Sequence, residues 1–138
     1  MQYFKTENEA VELFVKLFET IFKDEKIGPG LKKVNQLVLF DYTEDGPNCC
    51  FHLDARNGNL SVGPGKPADE PDLVMSLSVD DAHRSWSNKL NPVLAITRKK
   101  IRVKGSATGL LKLAPKLKKI ATYYVGILKE NGKEDIIL

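Results

Sequence analysis

Asn57-Gly58 lies between two short runs of alternating character, Cys50-Phe51-His52-Leu53-Asp54 and Leu60-Ser61-Val62. Both residues of the dipeptide tolerate the positive φ that a tight turn between antiparallel strands demands, so this is the strongest hairpin signal in the chain. Asp45-Gly46-Pro47-Asn48 supplies a second turn between Cys50–Asp54 and the apolar, β-branched run 34–41. Three antiparallel strands follow. Beyond a Gly/Pro/Asp-rich segment, 63–72, read as loop, Leu73-Val74-Met75-Ser76-Leu77-Ser78 alternates as a fourth strand. Residues 98–104 read as a fifth, with Lys99, Ile101 and Val103 on one face and Arg98, Lys100, Arg102 and Lys104 on the other.

A sheet with an apolar face needs a cover, and the remaining segments supply helices. Thr6-Glu7-Asn8-Glu9 fits a capping box in which the Thr6 hydroxyl and the Glu9 carboxylate each satisfy a first-turn amide. Behind it Ala10, Val11, Leu13, Phe14, Leu17, Phe18, Ile21 and Phe22 recur at helical spacing as a wide, phenylalanine-rich stripe, and Gly28-Pro29-Gly30 is expected to end the element and turn the chain. Ser78 caps a short helix over 79–88 that carries Trp86, and Asn91-Pro92 starts another. The pattern over 107–128 is an amphipathic helix with Leu110, Leu113, Leu117, Ala121, Tyr124 and Leu128 in its stripe, kinked or restarted at Pro115. The expectation is one α+β domain over residues 1–138, with a five-stranded, largely antiparallel sheet.

Charge is lopsided. Residues 1–96 hold 10 Lys/Arg against 15 Asp/Glu, a net of −5, whereas 97–138 hold 11 against 3, a net of +8. Such a basic region can meet nucleic acid, anionic lipid head groups or an acidic partner. Single-strand readers stack bases on aromatics set among their cations, and 98–104 contains no aromatic residue, so nucleic acid is not an expected partner. Alternating cations also discourage edge pairing with no ligand at all, which leaves the apolar excess beside them unexplained. No apolar run approaches the roughly 18 residues of a spanning helix, and the N-terminus is amphipathic and acidic where a signal peptide would be basic then apolar. The expected location is the cytoplasm. Cys49 and Cys50 are adjacent, which disfavours a disulfide between them; in a strand, one would be buried and the other near the surface.

Catalytic patterns are weak. The chain has no Gly-x-Ser-x-Gly turn, no phosphate loop ending in Gly-Lys-Ser/Thr, no His-Glu-x-x-His and no Cys-x-x-Cys. His52 and His83 are the only histidines. Asp80 and His83 share helical spacing but have no evident third metal ligand, and Gly63-Pro64-Gly65-Lys66 lacks the strand-to-helix context of an anion cradle. No cofactor is expected.

Four stretches in order, ARNGNLSV (55–62), DLVMSLS (72–78), KLNPVLAI (89–96) and IRVKGSATGLLKL (101–113), together with the Asp45-Gly46-Pro47 turn, resemble the sterol carrier protein type-two lipid-transfer family over roughly residues 34–113. The resemblance implies helices covering one sheet face around an apolar tunnel, and a non-enzymatic role in binding or transferring a sterol, fatty acid, acyl-CoA or phospholipid. It also implies a mobile C-terminal cover. The chain departs from the family pattern at Asn88, where glycine is common, at Arg98-Lys99, where Gly-Lys is common, and at Ile136-Ile137-Leu138, where peroxisomal members carry a Ser-Lys-Leu-like ending.

Tunnel candidates are Phe51, Leu53, Met75, Leu77, Trp86, Leu94, Ile101, Val103, Leu110, Leu113 and Leu117. Arg98, Lys100, Arg102, Lys104, Lys112 and Lys116 are candidates for contact with a lipid head group or an anionic membrane surface. Two other readings compete. One is an interaction module of the same fold that forms a homodimer or serves a partner enzyme without lipid. The other is acyl-group chemistry using His52 or His83, which lacks a paired nucleophile and base.

Overall fold

The computed structural model describes residues 1–138. Thr6 opens helix α1 (Glu7–Ile21) by accepting a hydrogen bond from the Glu9 amide at 3.1 Å. Only half of the expected capping box forms, because the Glu9 carboxylate reaches instead for Lys133, 2.6 Å away. The phenylalanine stripe turns inward as the periodicity requires, with Phe14, Leu17, Phe18 and Ile21 essentially without exposed surface.

Gly28-Pro29-Gly30 does not turn the chain. It lies inside a second helix, α2 (Ile27–Val34), where proline suits the first turn because that amide has no helical partner. Asp24 supplies the missing start signal by accepting from the Lys26 and Ile27 amides, each at 2.9 Å. Its other oxygen accepts from Tyr123 at 2.7 Å and pairs with Lys119 at 2.8 Å, tying the α1–α2 corner to the C-terminal helix. Those donors, Lys119 first, hold the Asp24 carboxyl well below the usual carboxylate range.

Because α2 runs on to Val34, strand β1 starts late (Leu37–Asp41). It is followed by β2 (Cys50–Asp54), β3 (Ser61–Pro64) and β4 (Leu73–Ser76), and the sheet order is β3-β2-β1-β4-β5. Gly63 and Pro64, expected in a loop, complete the edge strand β3 opposite His52 and Phe51. Three of the four pairings are antiparallel; β4 lies parallel to β1. Asn57 and Gly58 do adopt positive φ, 59° and 75°, within a longer connection between β2 and β3. On the core face Val38 sits between Leu53 and Leu73, and Phe40 between Phe51 and Met75, which in turn faces Val103.

Helix α3 (Val79–Trp86) is capped by Ser78, which accepts from the Asp81 amide, and α4 (Pro92–Thr97) by Asn91, whose side chain accepts from Val93 and Leu94. The expected basic strand is short: β5 covers only Arg102–Lys104, because Lys99 turns left-handed (φ 60°) to close α4. Gly105 ends β5 at φ 99°, where a β-carbon would stand 2.3 Å from the Asp72 carbonyl oxygen. The helical segment expected over 107–128 restarts at Pro115, as α5 (Thr108–Leu111), a tight 3-10 turn at Ala114–Lys116 and α6 (Leu117–Glu130), since Pro115 cannot continue the hydrogen-bond ladder. In α6 the buried stripe is Ile120, Tyr124, Ile127 and Leu128.

Helix α6 packs against α1 and α3, and α5 against α2. His83 locks this corner: its Nε2–H donates to the Ile136 carbonyl and its Nδ1 accepts from the Tyr124 hydroxyl, both at 2.7 Å. The carbonyl can only accept, which fixes the tautomer. No helix is long and apolar enough to cross a membrane. Both cysteines are buried and free, contrary to the alternation expected of a strand pair, because Cys49 precedes β2 and turns into the core by itself.

Candidate functional site

Between the sheet and the broken C-terminal segment the core is incompletely filled. Phe18 and Ile21 come from α1, Leu31 from α2, Phe40 and Tyr42 from β1 and its exit, Met75 and Leu77 from β4 and its exit, and Ala82, Ser85 and Trp86 from α3. Pro92, Ile101, Leu110, Leu111, Leu113, Ala114, Leu117 and Ile120 close the other side. These residues surround a partly open cavity of about 80 Å³. Sixteen of the eighteen lining residues are hydrophobic. None carries a charge.

Of the tunnel candidates, the fold brings Met75, Leu77, Trp86, Ile101, Leu110, Leu113 and Leu117 to this one cavity. Phe51 and Leu53 lie elsewhere in the core. Phe51 is stacked on Phe40 at 4.7 Å and sits behind the wall. Val103 is half-buried against the core, and Leu94 is on the outer side of α4 with 49% of its surface exposed. Sequence reading missed the contributions of α1, α2 and Tyr42, as well as Ala82, Ser85, Pro92, Leu111, Ala114 and Ile120; the signal for the first was the width of the α1 stripe, broader than one sheet contact needs.

The cavity is small because leucines plug it. Ligand pockets commonly measure ~300–1,000 Å³, several times the space here, so a long chain would enter only as Leu110, Leu113 and Leu117 move outward. Leu113 packs its Cδ2 against the bare backbone of Gly30, so closely that a β-carbon there would stand 2.8 Å away. The segment that carries these leucines is built from one helical turn, a 3-10 turn and the start of α6, each with few internal hydrogen bonds.

The basic candidates flank the lining residues. Arg98, Lys100 and Arg102 bracket Ile101, Lys104 ends β5, Lys112 stands between Leu111 and Leu113, and Lys116 precedes Leu117. All but half-buried Lys116 are exposed, and only Arg102 approaches an acid, Glu44 at 4.0 Å. Residues 82–129 contain no Asp or Glu at all. Val93 and Leu94 add exposed apolar surface on α4, at 51% and 49%.

The histidines form no catalytic pair. His52 bonds the Gly65 carbonyl oxygen through Nδ1 at 2.9 Å, while His83 is fully buried in its structural clamp, where desolvation lowers its pKa. No cluster of His, Cys, Asp and Glu could hold a metal ion, and Asp80 is engaged instead with the Gln2 amide.

The family model for the SCP-2 sterol transfer family matches residues 14–118. The chain belongs to that family. Within the SCP-2 family it is 36% identical over 94 residues to human hydroxysteroid dehydrogenase-like protein 2, a match covering 67% of this chain and 22% of that protein. The chain therefore corresponds to about a fifth of the length of the curated relatives it matches. The fold is that of solved SCP-2 domains: sterol carrier protein domain 2 of Helicoverpa armigera superposes with a TM-score of 0.64 at 23% identity, covering 86% of this chain and 94% of that one. Palmitated SCP2L2 from Aedes aegypti superposes with a TM-score of 0.58 at 22% identity, covering 79% and 92%.

Proposed function

We propose that this SCP-2 domain binds and transfers a lipid without catalysis, holding its apolar part in the cavity between the sheet and the α5–α6 segment. The observation that carries the reading is a charge-free, hydrophobic cavity roofed by leucines on a broken helix, in a protein of this family. The solved relative with palmitate bears on the ligand class, which here includes fatty acid, acyl-CoA, sterol and phospholipid. Burying a long acyl chain at ~0.8 kcal/mol per methylene supplies on the order of 10 kcal/mol before association costs, sufficient without any reactive side chain.

Lipid exchange needs contact with a membrane. The acid-free segment with Arg98, Lys100, Lys104 and Lys112 beside exposed Val93 and Leu94 suits transient contact with an anionic surface. The proposed setting is the cytoplasm, consistent with two buried, unpaired cysteines. The second reading, a module serving an enzyme, draws on relatives that carry the matched region as about a fifth of a dehydrogenase-like protein.

Trp86 is the only tryptophan and lines the cavity, so its fluorescence tests the reading directly. Titration with palmitate should change its emission saturably at one equivalent. An unchanged spectrum with palmitate, cholesterol and phospholipid would favour the interaction module.

A further inference from the structure

The cavity wall is apolar except at one place. The Trp86 indole nitrogen is buried and its N–H has no hydrogen-bond partner. The Tyr42 phenol lines the same cavity, and no bond of ordinary geometry joins it to that N–H. Burial raises the phenol's pKa and keeps it neutral. Ser85 precedes Trp86 in α3 and lines the same space. The hydroxyls of Thr20, Thr97 and Thr122 each donate to the carbonyl four residues back in their helices, and that of Ser85 makes no such bond. A donor-only N–H and two hydroxyls that both donate and accept therefore line one largely apolar cavity, where an unpaired polar group is costly once a ligand excludes water.

We propose that Tyr42, Ser85 and Trp86 form a polar spot that receives the hydroxyl of a neutral lipid alcohol, oxygen innermost. The inference rests on the lipid-binding reading and narrows it. A ligand hydroxyl oxygen accepts from the Trp86 N–H and from one of the two protein hydroxyls and donates its own O–H to the other, so every group is paired. An alkane leaves all of them unpaired. A carboxylate entering head first would be buried with no counter-charge, since no Lys, Arg or His lines the cavity. Its head belongs at the mouth, near Arg98, Lys100 and Lys112.

The test compares dodecanol, dodecane and dodecanoate by displacement of anilinonaphthalene sulfonate from the full chain and from Ser85→Ala, Tyr42→Phe and Trp86→Phe variants. The wild type should bind dodecanol about tenfold or more tightly than dodecane, because a site built to bond a hydroxyl rejects the analogue that lacks it. That ratio should fall toward one in Trp86→Phe and decline in the other two, whatever change in cavity volume does to all three ligands in common. Ser85→Ala removes a single oxygen and keeps the test valid should either aromatic variant misfold. Equal affinity of the wild type for dodecanol and dodecane overturns the polar spot and leaves lipid binding standing. Failure of all three compounds to bind overturns both.

Discussion

Leu77→Trp asks whether a lipid chain uses this cavity. Leu77 directly follows β4, has 5% of its surface exposed and lines the cavity. An indole there fills the void of about 80 Å³ and pushes against the plugging leucines. Overpacking of this kind costs typically ~1–3 kcal/mol, which lowers Tm by roughly 2–4 °C for each kcal/mol in a domain slightly larger than this one. The binding loss should be larger. Each methylene denied entry forfeits ~0.8 kcal/mol, so exclusion of about five weakens palmitate binding by ~4 kcal/mol, on the order of 10³-fold. Isothermal titration calorimetry with palmitate gives the affinity, and thermal unfolding confirms that the variant is folded. Leu94→Trp, on the exposed side of α4, is the control and should change neither. A folded Leu77→Trp protein with palmitate affinity within about threefold of wild type would refute the placement of the chain in this cavity.

Other consequences follow from the scaffold and the charged rim. Burial lowers the folded-state pKa of His83 below its unfolded value near 6.5, so the unfolded chain takes up the proton first as pH falls. Its contribution is intact above that value and lost below it, by at most ~1.4 kcal/mol between about pH 7.5 and 5.5. Urea midpoints should therefore fall with pH more steeply for wild type than for His83→Gln, and equal slopes would contradict the assignment. Gly105→Ala places a methyl 2.3 Å from the Asp72 carbonyl at positive φ and should destabilise by ~2 kcal/mol or more, read by chemical denaturation. Replacing Arg98, Lys100 and Lys112 with Gln should weaken sedimentation with vesicles containing phosphatidylserine by ~1 kcal/mol per cation at low salt, with little change on pure phosphatidylcholine.

The sheet and its core face were legible because alternation and turn chemistry act over a few residues. Val38, Phe40, Phe51, Leu53, Met75 and Val103 fall in register as their spacing requires. The capping residues Thr6, Ser78 and Asn91 were legible for the same reason. Gly28-Pro29-Gly30 misled because a proline at the start of a helix and a proline after its end look alike locally; what decides here is Asp24, bonded across the fold to Tyr123 and Lys119. The fifth strand shrank for a similar reason, since nothing local announces that Lys99 turns left-handed to close α4. Of the candidate site, only Met75, Leu77, Trp86, Ile101, Leu110, Leu113 and Leu117 were legible through periodicity and the family resemblance. Phe18, Leu31 and Tyr42 were not, because whether an inward side chain meets a neighbour or a void depends on how α1 and α2 sit over the sheet.

Native mass spectrometry of the full chain purified without detergent, followed by organic extraction and identification of what is released, tests lipid binding most directly. The account predicts a one-to-one adduct of defined lipid mass, or its appearance after incubation with palmitate, dodecanol or cholesterol. A bare mass that persists through all of these, in protein whose Tm is also unmoved, would contradict a lipid-carrying cavity.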